Sequence, residues 1–396
     1  MIQPVKKNII ENHPELSEKP QYTLLVDGTN VLRLSFKDER LNTDGIHYGG
    51  VFQFLLQLKI LLQKKDFDYV YVFFDDEDSG ILRYQIYNDY KSNRDKNYAD
   101  KLDESSDYMK AYNMKLKSMQ NAIFNKEKKS KPLSDSEKLV KENFVREREI
   151  LMKYFNELYI RWVFDDKTEG DDLIAYYVKN KKPNDRVVIV SGDEDLTQLI
   201  SSTVCVYNPR LKIFISDKNF KQIKGFVHEN VVIKKIFCGD TSDNIGNIDG
   251  LSENRLFELM PEIKERPITI NEVKERAIEK INERKLQKKK PLKWHENIVN
   301  GISKRNYNGD FYEINDKIIN LSNPLLTDEA KREMDETMYA PMDTDGRSFS
   351  NLYQYIIDDN ITDLKNSDRF SSFFSTFKPL IDKEVKRYEN FMKNNS

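Results

Sequence analysis

Four short runs of β-branched, aromatic and aliphatic residues punctuate the first half of this chain, and three of them lead straight to an aspartate. Residues 22–26 (YTLLV) end at Asp27-Gly28, and residues 69–74 (YVYVFF) end at Asp75. Residues 187–190 (VVIV) run into Ser191-Gly192-Asp193, and 161–164 (RWVF) form a weaker run. Continuous apolar runs of this length suit strands buried on both faces. Between them lie helical stretches at 50–63 (GVFQFLLQLKILLQ) and 171–179. Strands alternating with helices predict a parallel α/β sheet. In open parallel sheets the carboxyl edge of the strands is where sites form.

Further acids fall in tight groups. Glu169, Asp171 and Asp172 (EGDD) open a predicted helix, where residues 169 and 172 share a face and 171 points to an adjacent one. Asp193 and Asp195 (SGDEDL) are two apart, which in an extended stretch places both on one side. Asp240 and Asp243 (GDTSDN) are three apart and can converge on a helical turn. Alone, each group has an ordinary reading as a helix N-cap, a turn former or a dipole partner. In combination they predict one strongly repulsive carboxylate cleft that needs cations. The four histidines are scattered and the two cysteines, Cys205 and Cys238, sit in apolar runs, so no softer ligand set competes. Hard divalent ions with oxygen ligands fit, Mg²⁺ first and Mn²⁺ as the alternative. Two such ions can clamp the attacking and leaving oxygens of a phosphodiester displacement.

The basic and glycine-rich segments complement the acids. After Asp75 come Arg83 and then Asn88-Asp89-Tyr90-Lys91-Ser92-Asn93-Arg94. Lys91 and Arg94, three apart at a predicted helix start, can both face a phosphate, and Tyr90 offers a ring for base stacking. Gly239, Gly246 and Gly250 punctuate two predicted helices, the second starting near Ser252 as N-cap. A helix–hairpin–helix of this kind presents backbone amides to a DNA phosphate without reading bases.

Bulk properties exclude other classes. The formal net charge is −2, with 33% charged residues, so any nucleic-acid surface must be local. Two local basic runs stand out, at 126–131 (KEKKSK) and 284–293 (RKLQKKKPLK). The N-terminal 20 residues have no apolar signal core, and no run of about 18 apolar residues exists, so no membrane span is expected. Two thiols build neither a disulfide framework nor a zinc cage, and both read as small buried hydrophobes in a reducing compartment. No GxxxxGK[ST] motif occurs, which disfavours a P-loop hydrolase. Thr29, two residues after Asp27, disfavours an aspartyl-phosphate phosphatase.

Five blocks resemble the 5′ nuclease superfamily, which takes in phage 5′→3′ exonucleases, phage ribonuclease H, the nuclease domain of bacterial DNA polymerase I and flap endonucleases. They are LLVDGTN, FFDDEDSGILRYQIYNDYKSNRDK, EGDDLIAYYV, VVIVSGDEDLTQLI and FCGDTSDNIGNIDGL, in the family's order within residues 22–251. The stretch YNGDFYEINDKIINLSNPLL is more loosely similar to the helical end of the phage enzymes.

The resemblance implies a PIN-like parallel sheet flanked by helices, with a helical arch and a helix–three-turn–helix. It places Asp27, Asp75, Glu169 and Asp171 around one metal and Asp193, Asp195 and Asp243 around a second. Asp171 or Asp172 would bridge through water, and Asp240 would support the second site. Lys91 and Arg94, aided by Arg83, would hold the scissile phosphate, and Tyr90 would stack on the unpaired end. Gly246, Gly250 and Ser252 would contact duplex. The hairpin reads Gly250-Leu251-Ser252-Glu253-Asn254, without the family's second glycine and lysine.

The implied organisation is a polar extension (1–20), an α/β catalytic domain (21–215) with an arch insertion (about 95–150), a helical DNA-binding region (216–330, hairpin at about 236–260) and a C-terminal helical tail (331–396). The implied activity is two-metal, Mg²⁺-dependent 5′→3′ exonuclease and flap endonuclease action with ribonuclease H activity, on 5′ flaps, 5′ ends and RNA–DNA hybrids during replication. Implied partners are a single-strand-binding protein and a sliding clamp. The implied location is the cytoplasm, that of the host if the chain is phage-encoded. The alternative is a catalytically silent, structure-specific DNA-binding replisome factor on the same fold.

Overall fold

The structure is a computed structural model that describes residues 20–76, 78–92 and 135–395. Six strands form one sheet: β1 (Tyr22–Asp27), β2 (Tyr69–Asp75), β3 (Arg161–Asp165), β4 (Arg186–Val190), β5 (Val204–Asn208) and β6 (Ile213–Ile215). Their spatial order is β3-β2-β1-β4-β5-β6. The first five are mutually parallel, and β6 turns back antiparallel on β5. The parallel sheet flanked by helices is therefore as expected. Sequence patterning identifies the four strands that carry or flank acids and misses β5 and β6.

The helices of the sheet layers are α1 (Gly28–Ser35), α2 (Gly49–Lys64), α3 (Ile81–Ile86), α4 (Asp135–Glu157) and α5 (Gly170–Asn180). A helical region follows with α6 (Phe220–Lys224), α7 (Val231–Cys238), α8 (Glu253–Leu259), α9 (Ile270–Leu286), α10 (Lys293–Asn300) and α11 (Phe311–Ile319). The chain closes with α12 (Asp328–Thr337), α13 (Phe349–Asp358), α14 (Ser367–Phe374) and α15 (Lys378–Asn395).

Three apolar clusters hold these layers. One sheet face, with Leu24, Val26, Val72 and Phe74, packs on α2, α4 and the helices after residue 348. The opposite face, with Leu25, Tyr71, Phe73 and Ile189, packs on α5 and α12. The third cluster joins α7 to α11 and also takes in Tyr87 and Tyr90 from the segment after α3.

Two sequence-derived boundaries move. Residues 93–134, most of the expected arch, lie outside the described residues, as do the basic run at 126–131 and the N-terminal 19 residues. Phe144, Ile150 and Leu151 on α4 pack into the sheet core, so the last part of the 95–150 stretch belongs to that core. The segment after residue 330 is helical, and it too is integral to the sheet layers. Its buried Glu384 pairs with the Arg161 guanidinium of β3 at 2.5 Å. Both cysteines are partly exposed rather than fully buried.

The candidate active site at the carboxyl edge of the sheet

Strand order reverses beside β1: the chain builds outward through β2 and β3, then crosses by α5 to β4 on the other side of β1. Such a switch point opens a crevice at the carboxyl ends of the two diverging strands. Asp27 ends β1 and also caps α1, with Oδ1 accepting the Asn30 amide at 3.0 Å. Its Oδ2 accepts the Ser191 hydroxyl at 2.8 Å, which ties β1 to the loop after β4. Capping and site membership therefore coexist at this residue. Asp75 ends β2, its amide held by Thr29 Oγ1 at 3.0 Å.

Ser191 Oγ also accepts the Asp193 amide at 3.0 Å, and Asp193 Oδ1 accepts the Asp195 amide at 2.9 Å. Asp195 opens a short 3₁₀ turn (Asp195–Leu199) rather than continuing an extended strand. Glu169 and Asp171 come from the start of α5. Asp240 and Asp243 sit on a closed loop after α7, sealed by reciprocal backbone bonds between Asp240 and Ile245 of 3.1 and 2.7 Å. That loop replaces the helical turn expected there.

One cleft is lined by Asp27, Asp75, Glu169, Asp171, Asp193, Asp195 and Asp243, with Lys91, Arg33, Asn30 and Thr29 among its remaining walls. Two acid groups lie within ligand reach: carboxylate oxygens of Glu169, Asp171 and Asp172, and of Asp195, Asp240 and Asp243, fall within 4.8 Å of one another in each set. Burial, with the neighbouring Asp75 and Asp193 charges, pushes the Asp27 carboxyl up to about 7. Burial likewise pushes Asp195 up to about 6 and Asp171 well above the carboxylate range. The donors are oxygen-only and short of positive charge, which is the chemistry a hard divalent cation fits.

Protein cations sit beside and beneath these acids. Lys91 Nζ bonds Glu169, and Lys235 of α7 bonds Asp195 and Asp240. Against the burial that alone would raise it, the Lys91 and Arg83 charges hold Glu169 down to about 2. Lys235 does the same for Asp240, again to about 2. Lys91 has a left-handed backbone (φ 52°), and its amide donates to the Asp243 carbonyl at 2.9 Å. Asn244 completes this clamp by donating to Asp89 O and Ser92 Oγ, both at 2.7 Å. The segment at 89–92 is thus a turn locked to the Asp243 loop.

Several expected roles are corrected by geometry. The Tyr90 ring is 2% exposed and its hydroxyl donates to Glu169 at 2.9 Å, so it offers no stacking face. Arg83 is 4% exposed and pairs with Glu169 and Asp172, so it neutralises acids below the cleft and does not face a phosphate. Asp172 turns away from the cleft, with Arg83 on both oxygens and the Leu325 amide on Oδ1 at 2.9 Å. Asp240 pairs with Lys235 while staying within ligand reach of Asp195 and Asp243. Arg94 lies outside the described residues.

The hairpin is also particular. Gly246 spends its amide on the Tyr307 hydroxyl at 2.9 Å, which removes it as a phosphate donor. Gly250 has φ 80°, a conformation that favours glycine. Ser252 caps α8 through the Arg255 amide.

Lys235, Ser191 and Asn30 were missed by sequence reasoning. Lys235 lies five residues before Asp240, beside Lys234 in a helix whose other six residues are apolar (VVIKKIFC), and that pair of charges was the available signal.

Fold and cleft together define an α/β protein with an all-oxygen acid cluster at the switch point of its sheet. Comparison places it further. Residues 22–235, more than half of the chain, match the family described as "5'-3' exonuclease, N-terminal resolvase-like domain". The chain belongs to this family, as its sequence blocks implied.

Among curated proteins it is 35% identical over 97 residues to a 5'-3' exonuclease of Mycoplasmopsis pulmonis, covering 24% of this chain and 33% of that one. It is 27% identical over 206 residues to a 5'-3' exonuclease of Mycoplasma pneumoniae, covering 50% and 56%. A 124-residue match to DNA polymerase I of Bacillus subtilis, 28% identical, covers 30% of this chain and 14% of that one. The matches thus span from 14% to 56% of these relatives' lengths.

Among solved structures, the bacteriophage T5 D15 flap endonuclease, in a complex with DNA and metal ions, superposes with a TM-score of 0.53 at 15% identity, covering 92% of this chain and 100% of that one. Human GEN1 bound to Holliday junction DNA gives 0.50 at 10% identity, covering 94% and 76%. At these identities the likeness is one of fold. Among the described residues no helix is long and apolar enough to cross a membrane.

Proposed function

We propose that this protein is a structure-specific 5′ nuclease that hydrolyses phosphodiesters at 5′ flaps and 5′ ends of DNA, and the RNA strand of RNA–DNA hybrids. The observation that carries this is the convergence of seven carboxylates from five chain segments on one cleft, with Lys91 at its wall. Asp27, Asp75, Glu169 and Asp171 would hold one Mg²⁺, and Asp193, Asp195 and Asp243 a second. When bound, the ions lower the pKa of water and stabilise the departing 3′ oxygen.

The chain's own part is positioning. Lys91, fixed by Glu169 and the Asp243 carbonyl, neutralises charge growing on the phosphate, with Arg94 as its partner. Arg83 and Lys235 keep the acids beneath the ligands ionised. Products carry 5′-phosphate and 3′-hydroxyl ends. Residues 21–215, with Lys235 and Asp243, supply the chemistry, and the rest of 216–330 holds the duplex by its backbone and shape. Such a role in primer and flap removal calls for a single-strand-binding protein and a sliding clamp as partners.

The test is a 5′-labelled flap duplex and a nicked RNA–DNA hybrid, each with Mg²⁺ and with chelator, beside Asp193→Ala. Mg²⁺-dependent cleavage reduced by about 10³-fold or more in the variant supports the assignment. Tight binding without cleavage under Mg²⁺ or Mn²⁺ overturns it in favour of a silent DNA-binding factor.

A further inference from the structure

The basic stretch at residues 284–293 (RKLQKKKPLK) has no part in the acidic cleft. It forms the turn between α9 and α10. Lys285, Lys288, Lys289, Lys290 and Lys293 are all exposed, and among the described residues none is in an ion pair. The turn is nonetheless closed: the Lys289 amide donates to Arg284 O at 2.9 Å, and Arg284 Nε donates to Lys290 O at 2.8 Å. Lys288 accepts a left-handed backbone (φ 54°) to make it. Leu286 at the end of α9 is 86% exposed among these cations.

Fixing like charges on a tight turn costs stability unless a polyanion offsets it. The positive field reaches inward. Burial, then Arg284 and Lys280, hold the His295 imidazole below its ordinary range, and its Nδ1 is buried without a partner.

The turn is docked on the hairpin. Trp294, the residue after Lys293, packs its Cβ where a side chain at Gly250 would go, 3.3 Å away. Asn297 Nδ2 donates to Asp249 O at 2.9 Å, and the Asp249 amide donates to Ile302 O at 2.8 Å. The hairpin itself, residues 246–254, contains no lysine or arginine and two acids, Asp249 and Glu253. Arg255 next to it is exposed, with its guanidinium on Gly250 O and 5.8 Å from the Trp294 ring centroid. A hairpin with no lysine or arginine of its own, its two acids paired with Lys304 and Lys234, is thus joined rigidly to a cationic turn without acids of its own.

We propose that the α9–α10 turn is a second backbone-binding site for duplex nucleic acid, continuous with the hairpin, with Lys288, Lys289 and Lys290 as its principal phosphate contacts. The proposal rests on the reading of the chain as a nucleic-acid enzyme, and it adds the element that supplies the duplex grip.

The test compares the full chain with Lys288→Gln/Lys289→Gln/Lys290→Gln, whose exposed positions leave folding intact, checked by thermal melting. Binding of a fluorescent duplex is measured with chelator across a salt series. Loss of three phosphate contacts lowers the slope of log K against log[salt] by about 2–3, with an affinity loss of about 10–100-fold near 0.1 M salt. An unchanged slope and affinity overturn the proposal. Displacement of the duplex by poly-glutamate as readily as by unlabelled duplex, at equal charge, also overturns it, and assigns the turn to an acidic protein. Salt-dependent binding lost in the variant, from a chain that cleaves no substrate, upholds this site while sinking the nuclease reading.

Discussion

Arg83 lies beneath Glu169, its guanidinium joined to the Glu169 and Asp172 carboxylates and its Nε donating to Ile318 O at 2.8 Å. One buried cation therefore ties α3, α5 and α11 together under the cleft. The charge is interior, so its removal strands two buried acids. Arg83→Met is expected to cost about 3–5 kcal/mol, the range for breaking a buried pair from one side. A urea melt reads this directly. A loss of activity with unchanged stability would instead show Arg83 acting on substrate.

The raised Asp27 carboxyl gives a pH-dependent prediction. Its folded value near 7 exceeds the ordinary 3.8, so the folded chain binds the extra proton. Stability therefore falls as pH rises from about 4 through about 7. Asp195, raised to about 6, works in the same direction. Asp27→Asn removes the Asp27 part of this slope. In chelator at pH 8 the variant is expected to melt a few degrees above the parent chain, a gain of about 1–2 kcal/mol. Mg²⁺ should raise the parent's melting point at pH 8 more than at pH 5, and the variant's far less. A parent chain indifferent to Mg²⁺ at pH 8 would refute cation binding at this cleft.

Which parts were legible in the sequence follows from physical scale. Asp27, Asp75 and Asp193 could be read because strand ends and their acids are local features, and a parallel sheet brings strand ends together. The helix start at Ser252 was legible for the same reason, since a cap is set by its own few residues. Side-chain direction at residues 169–172 was not. Asp171 rather than Asp172 faces the cleft because Arg83, 89 residues earlier in the chain, draws Asp172 inward. Tyr90 looked like an exposed ring in a polar stretch, and only the packing of α7 and α11 around it explains its burial. Lys235 was legible merely as one of two lysines in a mostly apolar helix, because its two partners lie 40 and five residues away. The tail was obscure because its apolar face has no partner within its own sequence; it covers α2 and the sheet.

That tail gives a third prediction. Glu384, fully buried on α15, takes both terminal nitrogens of Arg161 on β3, at 2.5 and 2.9 Å. Removing Glu384 leaves the buried Arg161 charge without its carboxylate, and removing Arg161 leaves the buried Glu384 to Arg387 alone. Glu384→Leu and Arg161→Met are each expected to destabilise by about 3–5 kcal/mol, while the double variant Arg161→Met/Glu384→Leu recovers most of the loss. Denaturant melts of the four proteins form the cycle. If the double variant were as unstable as the sum of the singles, the pair would not be the anchor of α15.

Gly239 carries the last prediction, because it sets where Asp240 and Asp243 sit. It ends α7 with φ 70° and ψ −176°, a conformation that L side chains avoid. An added Cβ would lie 2.6 Å from Ile245 O and 2.8 Å from Asn247 N, both backbone atoms that cannot swing aside. Gly239→Ala must therefore open the loop sealed by the Asp240–Ile245 bonds and draw Asp243 away from Asp195. Strain of this kind costs about 1–3 kcal/mol, which the fold can bear. The cation site is less tolerant, since ligand oxygens need placement to a few tenths of an ångström. The variant is expected to melt a few degrees lower yet lose about ten-fold or more in Mg²⁺ or Mn²⁺ affinity by calorimetry. If it binds the cation as tightly as the parent, Asp243 is not a ligand and the second ion must be held by Asp193 and Asp195 without it.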